Sequence, residues 1–301
     1  MRISEVLPSL DLHMDYKLMN EQEFDVLMLC ESKCDALACI FIDSEKYICS
    51  IPGNVTMIIT TFSLANLLRK ENRGILAIDE PRVFFFCLHN YLAKRDGYMR
   101  GIFPSCIAES ARISEKTEIS DVNVVIGENV IIESFVTIYS NVKIGDNSII
   151  RAGAVIGGSG FEFKRYAGGI LKVEHAGGVK IGNHVEIQNN TCIDRAIYPW
   201  DDTTIGDNSK IDNLVYIAHG VKVDRNVLIV ANAGIGGRTE ISEESWVGLG
   251  ATIRNGINIG KGARANMGAV VTKNIDEHQA VTGNFAINHK EFIENMRGGG
   301  K

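Results

Sequence analysis

Histidine is the side chain whose protonation changes nearest neutral pH. In the run "IDNLVYIAHGVKV", residues 211 to 223, His219 stands where such a ring could take a proton from a reacting group. It lies two positions past Ile217, close to a chain corner and directed outward toward a cleft; a structural histidine is the plain alternative. A base of this kind commonly has a carboxylate that fixes its tautomer. Asp212, seven residues earlier, is the sequence candidate, and a corner aspartate bonding its own backbone is the competing reading. Asn213 beside it is either a polar contact to a ligand or a solvated corner. The glycine-rich "GGSGFEF" lacks the strand-turn-helix context of a phosphate loop. The seven cysteines form no CxxC pair or zinc-spaced cluster and read as reduced residues in apolar surroundings.

Elements that could hold His219 follow from a period. Aliphatic residues recur every six positions at 107, 113 and 119, shift by one residue to 126–156, and return at 181, 187 and 193. From 205 they run unbroken in step to 271, with Ala265 the one small member. Six fits neither an amphipathic helix nor a plain alternating strand, but suits short strands separated by tight corners. Three hexads then make a triangular coil of about 18 residues, each stacked about 4.8 Å from the last with its aliphatic positions inside. Asn, Asp and Gly at the corners tolerate left-handed backbone. The period therefore predicts a hexapeptide parallel β-helix over 101–275. His175, His184 and His219 do not repeat at the coil length, which argues against a three-histidine metal site. Two stretches depart from the pattern. Residues 157–180 break it and should form an external loop. Residues 194–204 keep its arithmetic but place Pro199 where an aliphatic belongs, marking a bulge or short excursion.

Residues 1–100 have a different pattern, with strands in "CDALACIFI", "VTMIITT" and "GILAID" and helices in "SLANLLRKEN" and "EPRVFFFCLHNYLAKRD". That alternation predicts a small α/β domain, the boundary lying near "GYMRGIFPS". Residues 276–301 read as a short closing segment with one helix, capping the prism, and the final "GGGK" as a frayed tail. The chain has 45% hydrophobic and 23% charged residues, a net charge of −6 and a pI near 5.7. No basic run suggests nucleic acid or an anionic membrane. With no apolar stretch of spanning length and no signal-peptide pattern, the expectation is a cytoplasmic protein without a membrane span.

The run "GGVKIGNHVEIQNNTCIDRAIYPWDDTTIGDNSKIDNLVYIAHGVKV" resembles the core of the UDP-3-O-(3-hydroxyacyl)glucosamine N-acyltransferases, and "FIDSEKY" and "ILAIDEPRVFF" resemble that family's uridine-binding domain. The resemblance implies a mainly β fold: a left-handed parallel β-helix behind an N-terminal α/β nucleotide-binding domain, assembled as a homotrimer. It implies transfer of an acyl group from a thioester to the amine of a nucleotide-linked amino sugar, with His219 as general base and Asp212 beside it. Gly237, one coil above His219 in "AGIGGRTE", is the candidate donor to the oxyanion at the acyl-donor site. Phe41 and Tyr47 would bind the base, while Lys172 and His175 fall on the loop that faces substrate. Each also has an ordinary reading as a core aromatic or a solvated loop residue. The resemblance implies no tightly bound cofactor; acyl-CoA or acyl-acyl carrier protein is the co-substrate.

Three departures shape the expected substrate. Ser44 and Glu45 stand where the family has Asn and Pro, Gly256 stands where it has a further histidine, and the segment after Val271 is short. These point to an acyl-CoA-dependent enzyme acting on a dTDP-linked amino sugar for a surface polysaccharide such as O-antigen, receiving an acetyl or short 3-hydroxyacyl group. The first alternative is the lipid A N-acyltransferase reaction with a carrier-protein donor. The second is a binding scaffold without catalysis.

Overall fold

The inward aliphatic residues stack as the period demands. The computed structural model describes residues 1–10, 14–68, 72–283, 286 and 288–298. The chain folds into two compact units, one of Ser105–Gly158, Lys180–Ile193 and Thr204–Lys301, the other of Met1–Pro104, Ser159–Val179 and Asp194–Thr203. The division falls at Pro104, and both departures from the hexad pattern are grouped with the N-terminal unit rather than with the coils they interrupt.

In the first unit the chain visits three parallel sheets in turn, with nine, eight and eight strands among the described residues. Ile205 pairs with Val223, Val223 with Ile241 and Ile241 with Ile259. The second face stacks Ile211, Ile229, Val247 and Ala265, and the third Ile217, Ile235, Ile253 and Val271. All twelve are at most 5% exposed, so the period-six residues form a dry interior. Chain direction changes at the corners through left-handed residues: Asn129, Asn147, Asn208, Asn226 and Asn232 have φ between 56° and 62°. Asparagine tolerates that region because its short amide can bond locally. Corner hydroxyls satisfy buried backbone. Ser209 donates to the Asp224 carbonyl at 2.8 Å and accepts the Val227 N–H at 3.0 Å.

Where the pattern departs, the pairing accommodates extra residues without losing register. Ile187 pairs with Ile211 and Ile193 with Ile217, twenty-four residues on, so residues 194–204 contain one hexad more than a coil needs. The longer interruption carries an antiparallel hairpin of Phe163–Tyr166 and Gly169–Lys172. The helix His289–Gly298 follows the last strand, Ala280–Val281. The tail after Gly298 lies outside the described residues.

The other unit holds helices α1 (Ile3–Val6), α2 (Phe62–Leu68) and α3 (Pro81–Leu92) around a sheet. Its strands are β1 (Tyr16–Met19), β2 (Val26–Leu27), β3 (Ala38–Ile42), β4 (Val55–Thr60) and β5 (Gly74–Ile78), in spatial order β1-β5-β4-β3-β2. Only β1 pairs antiparallel. Period-two alternation sends Cys39 and Phe41 to one apolar cluster, while Ala38, Ile40 and Ile42 join the other. Helix α3 opens on Pro81 and buries Phe84, Phe85, Phe86 and Leu88. Of the seven cysteines only Cys39 is buried, whereas Cys49 and Cys106 are exposed, which corrects the expectation of mostly apolar surroundings. Burial raises the thiol pKa of Cys39 and Cys87, which disfavours the nucleophilic thiolate.

Candidate active site

Two adjacent corners of the β-helix make the strongest chemical constellation. After the strand Tyr216–Ile217 the chain turns at His219 and Gly220, whose φ of 70° only glycine adopts without strain. One coil on, Gly237 and Arg238 make the equivalent corner, and the Arg238 N–H donates to the His219 carbonyl at 3.0 Å. That bond locks the two corners in register. The expectation of an outward ring needs correction, since His219 is only 6% exposed. Its imidazole lies over the backbone of Gly237: a methyl group there would fall 2.7 Å from Nε2 and 3.0 Å from Cε1. Gly237 has no left-handed φ, so what it supplies is close approach. Among the described residues its own N–H meets no protein acceptor.

Arg238 completes the corner. Its guanidinium donates to His219 Nε2 at 3.4 Å. A guanidinium has no acceptor capacity, so in this contact Nε2 is the accepting atom. Nε2 also faces the Gly237 backbone.

Asp212 does not orient this ring. Its Oδ1 accepts from the backbone N and side-chain amide of Asn213, both at 2.7 Å, and Oδ2 accepts the Ala231 N–H at 3.1 Å. The carboxylate is therefore consumed at its own corner, the competing reading in the sequence. Asn213 is committed alongside it, its Oδ1 taking the backbone N of Asn189 at 3.1 Å and the Asn189 amide at 2.9 Å. Both residues hold coils together. Gly256 adopts φ 68°, so a corner conformation occupies the position where the resemblance expects histidine.

In the N-terminal unit, Phe41 is half-buried against Phe85 and Phe86, with ring centroids 5.1 and 6.1 Å away. The Arg82 guanidinium sits 5.7 Å from the Phe41 centroid and pairs with Asp43 at 2.8 Å. Tyr47 lies in the 3₁₀ turn Glu45–Ser50 and packs against the opposite apolar cluster, with Lys46 4.5 Å over its ring. The two aromatics therefore line different clusters, because strand alternation sends Phe41 to one face while the turn returns on the other.

Lys172 has an exposed side chain, and its carbonyl accepts the Asn90 amide at 2.7 Å. His175 is buried, with Nδ1 3.1 Å from the Val173 carbonyl. A methyl at Gly160 would lie 2.6 Å from Asp194 Oδ2 and 3.2 Å from His175 Nε2, so the loop backbone crosses a carboxylate and an imidazole there. Lys164, ion-paired with Glu162, stands 4.6 Å over the Phe86 ring. Sequence reasoning missed Arg238, Arg82 and Gly160. Only the eighteen-residue offset from His219 could have flagged Arg238, since it places Gly237 and its neighbour one coil above that histidine.

The bacterial transferase hexapeptide (six repeats) matches residues 123–158 and 202–237, which accords with left-handed coils. A UDP-3-O-acylglucosamine N-acyltransferase 2 of Legionella pneumophila (strain Lens) is 50% identical over 99 residues, covering 33% of this chain and 28% of that protein. A UDP-3-O-acylglucosamine N-acyltransferase of Caulobacter sp. (strain K31) is 39% identical over 139 residues, covering 46% of this chain and 40% of its own length. Both matches span less than half of those relatives. A solved Arabidopsis UDP-N-acetylglucosamine acyltransferase aligns with 65% of this chain and 75% of its own, with a TM-score of 0.48 and 21% identity.

Proposed function

We propose that the chain is an N-acyltransferase that moves an acyl group from a thioester to the amine of a UDP-linked, 3-O-acylated glucosamine. The observation that carries this is the His219 ring lying over the Gly237 backbone, with Nε2 the ring atom nearest that glycine. The similarity to enzymes named for UDP-3-O-acylglucosamine supplies the substrate class.

Nε2 takes a proton from the amine as its nitrogen attacks the thioester carbonyl carbon. The Gly237 N–H donates to the oxyanion of the tetrahedral intermediate. Collapse breaks the carbon–sulfur bond, and the imidazolium returns its proton to the leaving thiolate. A rigid corner suits this work because both groups stay where the transition state needs them. Phe41 stacks on the nucleotide base, with Arg82 beside it as a cation, and Lys172 and His175 contact substrate from the loop.

The relatives' names favour UDP-3-O-acylglucosamine over the dTDP-linked amino sugar expected from the three departures. Ser44 and Glu45 support that second reading, because they change positions expected to recognise the base. A mass-spectrometric competition decides: purified protein receives UDP-3-O-acylglucosamine and dTDP-linked amino sugars together with acetyl-CoA, 3-hydroxybutyryl-CoA and 3-hydroxymyristoyl-carrier protein. The expected product is acylated UDP-3-O-acylglucosamine. Acylated dTDP-sugar from a coenzyme A donor would establish the second reading, and absence of any acylated sugar would overturn both.

A further inference from the structure

We propose that Arg238 caps Nε2 of His219 and is drawn off it by an anionic group on a substrate, so that anion binding uncaps the base. This rests on reading His219 as the base. Three observations carry it.

The first is where the cap sits. Arg238 reaches Nε2, the atom that faces Gly237, at 3.4 Å. While a guanidinium N–H occupies that lone pair, the nitrogen cannot take a proton from an incoming amine. At that length the bond is weak and is readily exchanged for a charge-assisted one.

The second is the guanidinium's own company. Arg100 and Arg151, similarly half-buried, face carboxylates: Arg100 meets Asp202 at 2.7 Å, and Arg151 meets Glu133 and Glu186, each at 2.7 Å. Among the described residues no carboxylate pairs with Arg238, whose side chain instead donates to an imidazole nitrogen. A half-buried guanidinium with that partner gains from any carboxylate or phosphate that arrives in fork geometry.

The third is how Arg238 is held. Its φ is 59°, a left-handed corner conformation that most of the other corners give to asparagine or glycine. A long cationic side chain in that position keeps its backbone tied to the His219 carbonyl at 3.0 Å. The side chain can therefore swing while its root stays fixed beside the base.

The anion it takes is a phosphodiester or a carboxylate. Either could come from the acyl donor or from the sugar nucleotide, and the probes separate these sources. Full-length protein labelled with ¹⁵N-histidine is titrated with UDP, glucuronate and free coenzyme A, with H219Q used to assign the His219 ring signals. The expected result is a saturable change in the His219 ring nitrogens with at least one probe, UDP alone indicating the nucleotide and coenzyme A alone the donor. R238Q, shown to be folded by its melting curve, should lose the response, while R238K should keep part of it. In turnover, R238Q should raise KM for the anionic substrate about tenfold or more while kcat stays near wild type.

If no probe moves the His219 signals beyond chloride at equal ionic strength, or if R238Q responds as wild type does, the proposal falls. The two readings fail separately. A ring response in a protein that acylates nothing would retain the anion site and remove the acyltransferase, whereas turnover without any ring response would do the reverse.

Discussion

His219 and Gly237 act as one unit, since each constrains what the other can be. His219→Ala should lower kcat by about 100-fold or more, as loss of a general base does, without disturbing the coils. Unchanged turnover in steady-state kinetics would remove the assignment. Gly237→Ala is the more discriminating change. Its backbone φ suits any residue, so the melting temperature should hold, but the added methyl meets Nε2 at 2.7 Å and must push the ring aside. Displacing a base by about 1 Å costs on the order of 100-fold in rate. A Gly237→Ala protein with normal melting and normal kcat would show that the ring's position does not matter. Asp212 belongs at this scale as a correction. With both oxygens consumed by Asn213 and Ala231, Asp212→Asn should affect stability more than kcat.

The coil is the element whose energetics are simplest to test. Ile229 is 1% exposed between Ile211 and Val247, so Ile229→Ala should lose about 2–5 kcal/mol in denaturant unfolding. A loss under about 1 kcal/mol would mean that the ladder closes over the cavity. At the corners the backbone sets the rule. Leu214 is 55% exposed at φ 59°, a left-handed position that costs a branched side chain energy without returning burial. Leu214→Asn should therefore stabilise the protein by about 1 kcal/mol, read as a higher denaturation midpoint at unchanged slope. Arg238 keeps the same strained conformation beside His219, where a functional explanation is warranted.

At the scale of the whole molecule, one buried ring contributes acid sensitivity near neutral pH. His89 Nε2 donates to the Glu174 carbonyl at 2.9 Å and Nδ1 lies 3.1 Å from the Tyr98 hydroxyl, an arrangement that fully satisfies the neutral ring. Burial holds its pKa below the usual 6.5, outweighing the Glu174 carbonyl and carboxylate, which act the other way. The unfolded chain then binds the proton first, so His89 costs no stability above about pH 6.5 and a growing amount as pH falls toward the folded value. Melting temperature measured from about pH 7 down to about pH 5 should drop in the wild type, and His89→Gln should flatten that slope. An equal slope in the variant would assign the sensitivity to other groups. Loss of the Glu174 bond should also loosen the 159–179 insert, detectable as faster amide exchange there.

The hexad period by itself determined the coils, because a residue that recurs every sixth position can be buried only if the chain turns a corner at the same interval. Nothing further was needed to place Ile205 over Val223 or to set Gly237 above His219. The period also marked 157–180 and 194–204 as departures, since Pro199 and the glycine-rich run cannot continue a ladder. Only the tertiary structure decided what each side chain faces. Asp212 lies seven residues from His219 in sequence, yet its carboxylate turns to Asn213 and Ala231 because a corner amide one bond away outcompetes a ring at another corner. Phe41 and Tyr47 share a motif but reach opposite clusters, since strand alternation and a 3₁₀ turn act between them. Arg238 became visible only when two coils were stacked: its contact with His219 spans nineteen residues of chain, and no local pattern records which way a guanidinium swings.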